Sequence, residues 1–423
     1  MLEKLEKIWK TRDLRNSILF VLTMLVMFRI AAHVPIPGIN AQGLREFFGQ
    51  NQILGLLNIF SGGGLENFSI VMLGVGPYIT ASIIFQLLAM IIPSLEAMTK
   101  DPVGQQKINQ YTRILTIPLA LLQGYSFINL LQKQAGDLIP ALSGAQWLTA
   151  MVTITAGTVF LMWLGELISE RKIGNGISLL IFAGIVSALP AKVQQILAVF
   201  DTSQLVNLLI FVAIALVTIA LVVVITEAQR NIPVNYAKRI RGNKMYGGVS
   251  THLPLRVNMA GVIPIIFAIS LILFPPMIAQ FFVNASTPWL QTVSHFIINL
   301  FQNQVFYGAI YFILVFAFTY FYTYIIFHPV QVAENLQKQG GFIPGIRPGR
   351  HTSDYLQQVV NRIMLAGALF LAVIAILPII IQPLTGTQTL VVGGTSLLIV
   401  VAVVIETVKQ IDSQLTMRDY EGL

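Results

Sequence analysis

The chain has no cysteine among its 423 residues, which excludes a disulfide framework, a thiolate metal site and a thiol nucleophile. Charge is scarce as well. Asp, Glu, Lys and Arg make up 10% of the chain, against about 25% in soluble domains. Ionisable groups are rarer still inside the apolar runs: Arg29 lies toward one end of the first run, Glu166 and Glu406 lie near the ends of theirs, and the other carboxylates fall in loops. A coupled solute transporter shows such groups near the membrane midplane, so their scarcity counts against one. Also missing are a G-x-x-x-x-G-K-[ST] phosphate loop, an H-E-x-x-H pair, a G-x-S-x-G elbow and a TVGYG-like filter. No catalytic centre, nucleotide engine, metal site or cofactor site is visible in the sequence.

What the chain has in excess is apolar surface, with 55% hydrophobic residues and a mean hydropathy of +0.76. Apolar runs at 17–34, 69–92, 113–131, 147–167, 177–197, 205–226, 257–282, 303–326, 358–382 and 390–408 predict an all-α polytopic membrane protein with ten spans. The first run is too long for a signal-peptide core and lacks an A-x-A-like cleavage site, so it reads as a permanent span. An even number of spans puts both termini on one side. Of the 26 Lys and Arg, 22 fall on that side, three (Arg45, Lys133, Lys192) on the other, and Arg29 within the first span. By the positive-inside rule the side with both termini is cytoplasmic.

One stretch organises the rest. Leu54 to Phe60 is an apolar run of seven residues cut off by Ser61 to Gly64, far short of the ~20 needed to cross a bilayer. The run that follows carries its own breaker, Gly74-Val75-Gly76-Pro77. Backbone that stops inside the membrane must be enclosed by protein or line a water-filled cavity, so 54–67 is expected to be a re-entrant half-helix within one. The breaker also recurs. MLGVGPYI at 72–79 and MAGVIPII at 259–266 share Met, Gly, Val, Pro and the last Ile in order. Five spans separate the copies, so they run in opposite directions, the inverted pattern whose broken helices mark a working site.

Polarity within the spans is small and uncharged: Thr80, Ser82 and Gln86, Asn175 and Ser178, Asn258, and Thr395 with Ser396. Such groups often bond only to a neighbouring helix. Beside them stand Val75 and Ile79, four apart on one helical face, Ile177 and Ile181 likewise, and Ile266 in the place of Ile79 in the second copy of the repeat. Core or lipid contact is the ordinary fate of isoleucine; next to chain breaks, a hydrophobic constriction that stops ions competes with it. Two inner loops exceed what topology requires. Residues 227–256 predict a basic hairpin turning at Gly242-Asn243, and 327–357 predict a short helix opened by Pro329 and closed by Gly340-Gly341, then a rigid FIPGIRPGR loop presenting Arg347. Loops this long and this rich in Pro and Gly suit docking of a cytosolic partner better than passive connection.

Together these motifs resemble the SecY/Sec61 family of protein-conducting channels, its bacterial branch in particular. Carrying the resemblance are HVPIPGIN (33–40), NIFSGG (58–63), GPYITASIIFQLL (76–88), QYTR (110–113), MWLGELISERKIGNGIS (162–178), VNYAKR (234–239), STHLPLRVNMAGVIP (250–264), AENL (333–336), FIPGIRPG (342–349) and GGTSLLIVV (393–401). The resemblance implies two inverted five-helix halves, 1–204 and 205–423, around a central pore, in a passive conduit for unfolded polypeptides rather than an enzyme. It implies a pore ring of Val75, Ile79, Ile177, Ile181, Ile266 and Ile399, with Val75 where isoleucine is usual, and a plug that includes Leu57, Asn58, Ile59, Phe60, Ser61, Gly62 and Gly63. Thr80, Gln86 and Asn258 would face a lateral gate through which signal sequences and membrane helices enter lipid. Arg230, Lys238, Arg239, Arg241, Lys244 and Arg347 would receive the SecA ATPase or a translating ribosome, and SecE and SecG would be membrane partners. The implied location is the bacterial inner membrane. A pore-less insertase or scaffold and a secondary transporter are the competing readings.

Overall fold

Hydrocarbon offers no partner to a backbone N–H or C=O, so apolar runs of this length pair their polar groups internally as helices. The structure, a computed structural model, describes residues 2–36, 61, 63–65, 67–134, 143–198, 205–236, 239–241, 244–246, 250–283, 287–385 and 394–421. Every predicted span overlies a described helix: α2 (Arg12–Ala32), α3 (Gly76–Ile91), α5 (Pro102–Gln134), α6 (Gly144–Glu170), α7 (Gly176–Ala198), α8 (Leu205–Glu227), α9 (Ile263–Phe282), α11 (Gln304–Ile326), α13 (Arg350–Thr385) and α14 (Gly394–Glu421). Shorter helices are α1 (Leu2–Lys10), α4 (Pro93–Lys100), α10 (Pro288–Gln302) and α12 (Pro329–Lys338). By length and apolarity alone five helical stretches suffice to cross a bilayer, and α3 with α4 adds a pair bent by 114°. The bend sits at Ile92, held extended (φ −103°, ψ 108°) because a residue before proline avoids the helical region.

Helix starts follow local chemistry. Ser143 and Gln146 form a capping box at α6, and the Asn303 side chain accepts from the Val305 and Phe306 amides at α11, satisfying donors that a helix start leaves open.

Two predicted spans begin later than expected, and for the same reason. Residues 69–75 and 257–262 are turns rather than helix. In the first, Gly74 has φ 57°; in the second, Gly261 has φ 64°. Left-handed backbone stops a helix, and glycine adopts it without a Cβ clash. Val75 (φ −92°, ψ 5°) and Val262 (φ −95°, ψ −8°) then cap α3 and α9, each followed by a proline at the first turn. The repeated motif therefore has a repeated backbone. Ahead of α3 some polar groups are met by the extended segment after α2: Ile36 N–H donates to the Phe68 carbonyl (2.9 Å) and Ile70 N–H to that of Val34 (3.0 Å).

Of the predicted half-helix, residues 54–60, 62 and 66 lie outside the described residues. Ser61, Gly64 and Leu65 are buried, packed close to a small apolar cluster of Phe68, Met72, Ile128 and Ile154.

The basic loop is a hairpin as expected. Strand β1 (Gln229–Tyr236) pairs antiparallel with β4 (Ser250–Arg256), Gln229 opposite Arg256, and β2 (Arg239–Arg241) with β3 (Lys244–Tyr246), Arg241 opposite Lys244. The second loop adds a strand the sequence did not announce. Strand β5 (Gly341–Phe342) pairs with β1 at Asn235 and Tyr236, giving the order β4-β1-β5. Ile232, Val234 and Leu255 from the sheet pack with Leu336, Ile343, Leu356 and Val360. The two loops are one small module with its own apolar core.

Candidate functional site

The largest apolar cluster draws on nearly every long helix, and five of the six aliphatic residues singled out above belong to it, with the sixth packed against it. Val75, Ile79, Ile181, Ile266 and Ile399 are buried, at 0 to 7% exposure. Ile177 is half-buried and packs against them. They come from four places in the chain, the starts of α3, α7 and α9 and the first two turns of α14. Val75, Ile79, Ile181 and Ile266 also line a cavity of about 200 Å³, whose other walls include Ser61, Gln123, Phe301 and Tyr307. Aliphatic side chains thus meet where two broken helices begin, and the last described residues before α3 reach the same space.

The turn that aims Ile177 and Ile181 is built without slack. Ser169 Oγ donates to the Gly165 carbonyl (2.9 Å) and accepts from the Gly176 amide (2.9 Å), so one hydroxyl ties the end of α6 to the start of α7. Asn175 Oδ1 accepts from the Ser178 amide (3.2 Å), capping α7. At Gly176 a Cβ would fall within the van der Waals shell of the Gly165 carbonyl oxygen. We therefore expect Gly176→Ala to push α7 away from α6 and to destabilise the fold by ~1–3 kcal/mol, as overpacking does. A lowered thermal midpoint of the detergent-solubilised protein is the measurement that checks this, and an unchanged midpoint would refute it.

The three residues assigned to a seam make local hydrogen bonds. Thr80 Oγ1 donates to the Gly76 carbonyl (3.0 Å) and accepts from Gln123 Nε2 (3.4 Å). Gln86 Nε2 donates to Ser82 Oγ (3.0 Å), and Asn258 Nδ2 to the Gly261 carbonyl (3.2 Å). Among the described residues, Gln86 Oε1 and Asn258 Oδ1 are buried without a hydrogen-bond partner, a condition that costs ~1–3 kcal/mol for each group. Some contacts between helices distant in the chain are made by residues that sequence reasoning passed over. Ser126 Oγ donates to the Met277 carbonyl (3.1 Å), and the Tyr125 ring stacks on Phe281 at 4.7 Å. No sequence signal marks either pair, since each joins helices more than a hundred residues apart.

Of the basic residues, Arg230 on β1 and Arg347 in the loop after β5 are exposed. The Thr352 hydroxyl donates to the Arg347 carbonyl (2.9 Å), which holds that loop against the start of α13. Arg239, Arg241 and Lys244 lie on the β2 and β3 ribbon, and Lys238 lies outside the described residues. The remaining plug residues, Leu57, Asn58, Ile59, Phe60 and Gly62, are outside them too, while Ser61 is buried and Gly63 half-buried. No group of three or more His, Asp or Glu capable of holding a metal ion occurs among the described residues.

Comparison with known proteins gives the same family as the motifs. The SecY family model matches residues 69–408. A protein translocase subunit SecY from Streptomyces scabiei is 45% identical, covering 100% of this chain and 99% of its own. Another from Mycobacterium tuberculosis is 45% identical over 98% of this chain and 97% of its own. Among solved structures, a protein-conducting channel superposes with a TM-score of 0.64 at 16% identity, over 93% of this chain and 90% of that one. Sec61 in a canine ribosome-channel complex superposes with 0.61 at 15% identity, over 93% and 90%. The fold is that of these channels, and by sequence identity along its whole length the chain belongs to the SecY family.

Proposed function

We propose that the chain is the channel-forming subunit of a protein translocase, a passive conduit that moves unfolded polypeptides across the bacterial inner membrane and releases apolar segments sideways into lipid. The observation that carries this reading is the gathering of Val75, Ile79, Ile177, Ile181, Ile266 and Ile399 into one apolar cluster, four of them facing the cavity. An arbitrary unfolded chain offers no fixed group to recognise. A ring of aliphatic side chains presents it with nothing polar to stick to, and excludes water when empty.

The remaining parts follow. Residues 1–204 and 205–423 are the two inverted halves, a division supported by the matching glycine-valine-proline breaks at α3 and α9. Residues 54–67 are the plug, supported by Ser61 and Leu65 in the cavity wall. The lateral gate is the seam of α3 and α5 against α9 and α11, with Thr80, Gln86 and Asn258 beside it. Unpaired oxygens on Gln86 and Asn258 keep the closed seam from being too stable to open. Segments then sort by their own hydrophobicity, Leu gaining ~0.5 and Asp losing ~3 kcal/mol at the membrane centre. Both termini and the hairpin module face the cytoplasm, where Arg230, Lys238, Arg239, Arg241, Lys244 and Arg347 receive the SecA ATPase or a ribosome. SecE and SecG complete the membrane complex.

The test is a photoreactive residue at Ile79 with a stalled secretory chain. Crosslinking to the nascent chain at position 79, and none at the lipid-exposed Leu216 on α8, is expected. The reverse pattern would dispose of the pore assignment.

A further inference from the structure

The hairpin does not stand free at its base. Glu227 ends α8 and Arg256 ends β4, and the Val257 amide donates to the Ala228 carbonyl (2.9 Å), closing the hairpin where it leaves the membrane. From that base Glu227 Oε1 meets Lys409 Nζ on α14 at 2.7 Å. One turn earlier on α14 is the half-buried Glu406, whose carboxylate accepts from Gln410 Nε2 (3.5 Å). The base of the hairpin is therefore tied to this helix by an ion pair.

That helix also reaches the seal. Ile399 lies seven residues before Glu406, two helical turns away and on nearly the same face, and is fully buried among the aliphatic residues. In the other direction Gln414 Nε2 donates to the Lys172 carbonyl (2.6 Å). Lys172 is in the turn whose continuation places Ile177 and Ile181. One rigid helix thus touches the hairpin base, one seal residue directly and two more through the turn before α7.

We infer that the Glu227–Lys409 ion pair is the joint through which docking on the cytoplasmic hairpin shifts α14 and loosens the aliphatic seal. Glu227 and Lys409 are then positioning residues: they touch neither the translocating chain nor the docked partner. The inference rests on the channel reading above. The bland alternative is an ion pair that does nothing measurable, as is common where both side chains are partly exposed.

A charge exchange separates the two. The complete channel complex, reconstituted in proteoliposomes with the partner ATPase and a purified secretory precursor, is compared with Glu227→Lys, Lys409→Glu and the double exchange. Each single reversal is expected to leave the ATPase concentration for half-saturation unchanged but to lower translocation at saturation about fivefold, the small end of coupling between sites. The double exchange should restore most of the rate. Lys409→Gln guards against misfolding of the reversed variants and should lose rate in the same direction by a smaller factor. Saturated rates equal to wild type in all variants, or a double exchange no better than the singles at equal membrane abundance, would overturn the joint while leaving the channel intact. A wild-type protein that translocates nothing under these conditions would overturn both.

Discussion

Serine at both Ile79 and Ile266 yields a protein that inserts and assembles normally but leaks ions at rest. The two side chains come from α3 and α9, hold equivalent places after the Gly-Val-x-Pro break, are 7% and 6% exposed, and face one cavity. A constriction of this kind stops ions by staying dry, because a lone file of water between aliphatic walls forgoes the hydrogen bonds it has in bulk. Two hydroxyls restore some of those bonds. Lowering the barrier by only ~1.4 kcal/mol raises the leak about tenfold, so planar-bilayer conductance without any partner reads the effect directly. Leucine at the same two positions keeps the walls apolar at the same volume and is expected to stay tight. A serine variant as tight as wild type would show that the seal lies elsewhere.

What made this site legible is that its cause is local. Gly74 and Gly261 sit at positive φ, and a motif that needs left-handed backbone at one residue and proline three residues later leaves the same letters wherever it is used. Helix positions were legible for a similar reason, since a bilayer imposes a length that composition alone reveals. The hairpin announced itself through β-type segments on either side of a Gly-Asn pair, although Gly242 and Asn243 themselves lie outside the described residues. Contacts between distant segments left no such trace. Strand β5 is two residues long, and nothing in Gly341-Phe342 marks it as the partner of Asn235 and Tyr236. Pairs such as Ser126 with Met277 or Glu227 with Lys409 are chosen by packing at the bundle's ends, where many polar residues are near enough to serve. The expected starts of α3 and α9 were early because hydrophobicity continues through 69–75 and 257–262 while helical geometry does not.

Reversal of Arg241 and Arg347 together to Glu abolishes partner-driven translocation and leaves membrane insertion and resting tightness unchanged. The two residues belong to different loops, yet β5 on β1 and the core of Ile232, Val234, Leu336 and Leu356 hold those loops as one body. A partner that engages both therefore meets positive charge on two loops joined at one base rather than on two separate segments, and loses less entropy on docking. Arg347 is exposed, and Arg241 is on the β2 and β3 ribbon, apart from the β4-β1-β5 sheet, so the module is expected to fold in the double variant. Each reversal replaces an attraction with a repulsion, and like charges set against each other across an interface cost several kcal/mol. A joint loss of ~3 kcal/mol weakens docking about a hundredfold, enough to empty the site at working concentrations. Titration of the partner ATPase onto reconstituted channels measures it, and because the Debye length shrinks from ~30 Å at 0.01 M to ~8 Å at 0.15 M salt, the gap between wild type and variant should narrow as salt rises. Docking and translocation at wild-type levels in the double variant would refute the assignment of the basic module as the cytoplasmic receptor.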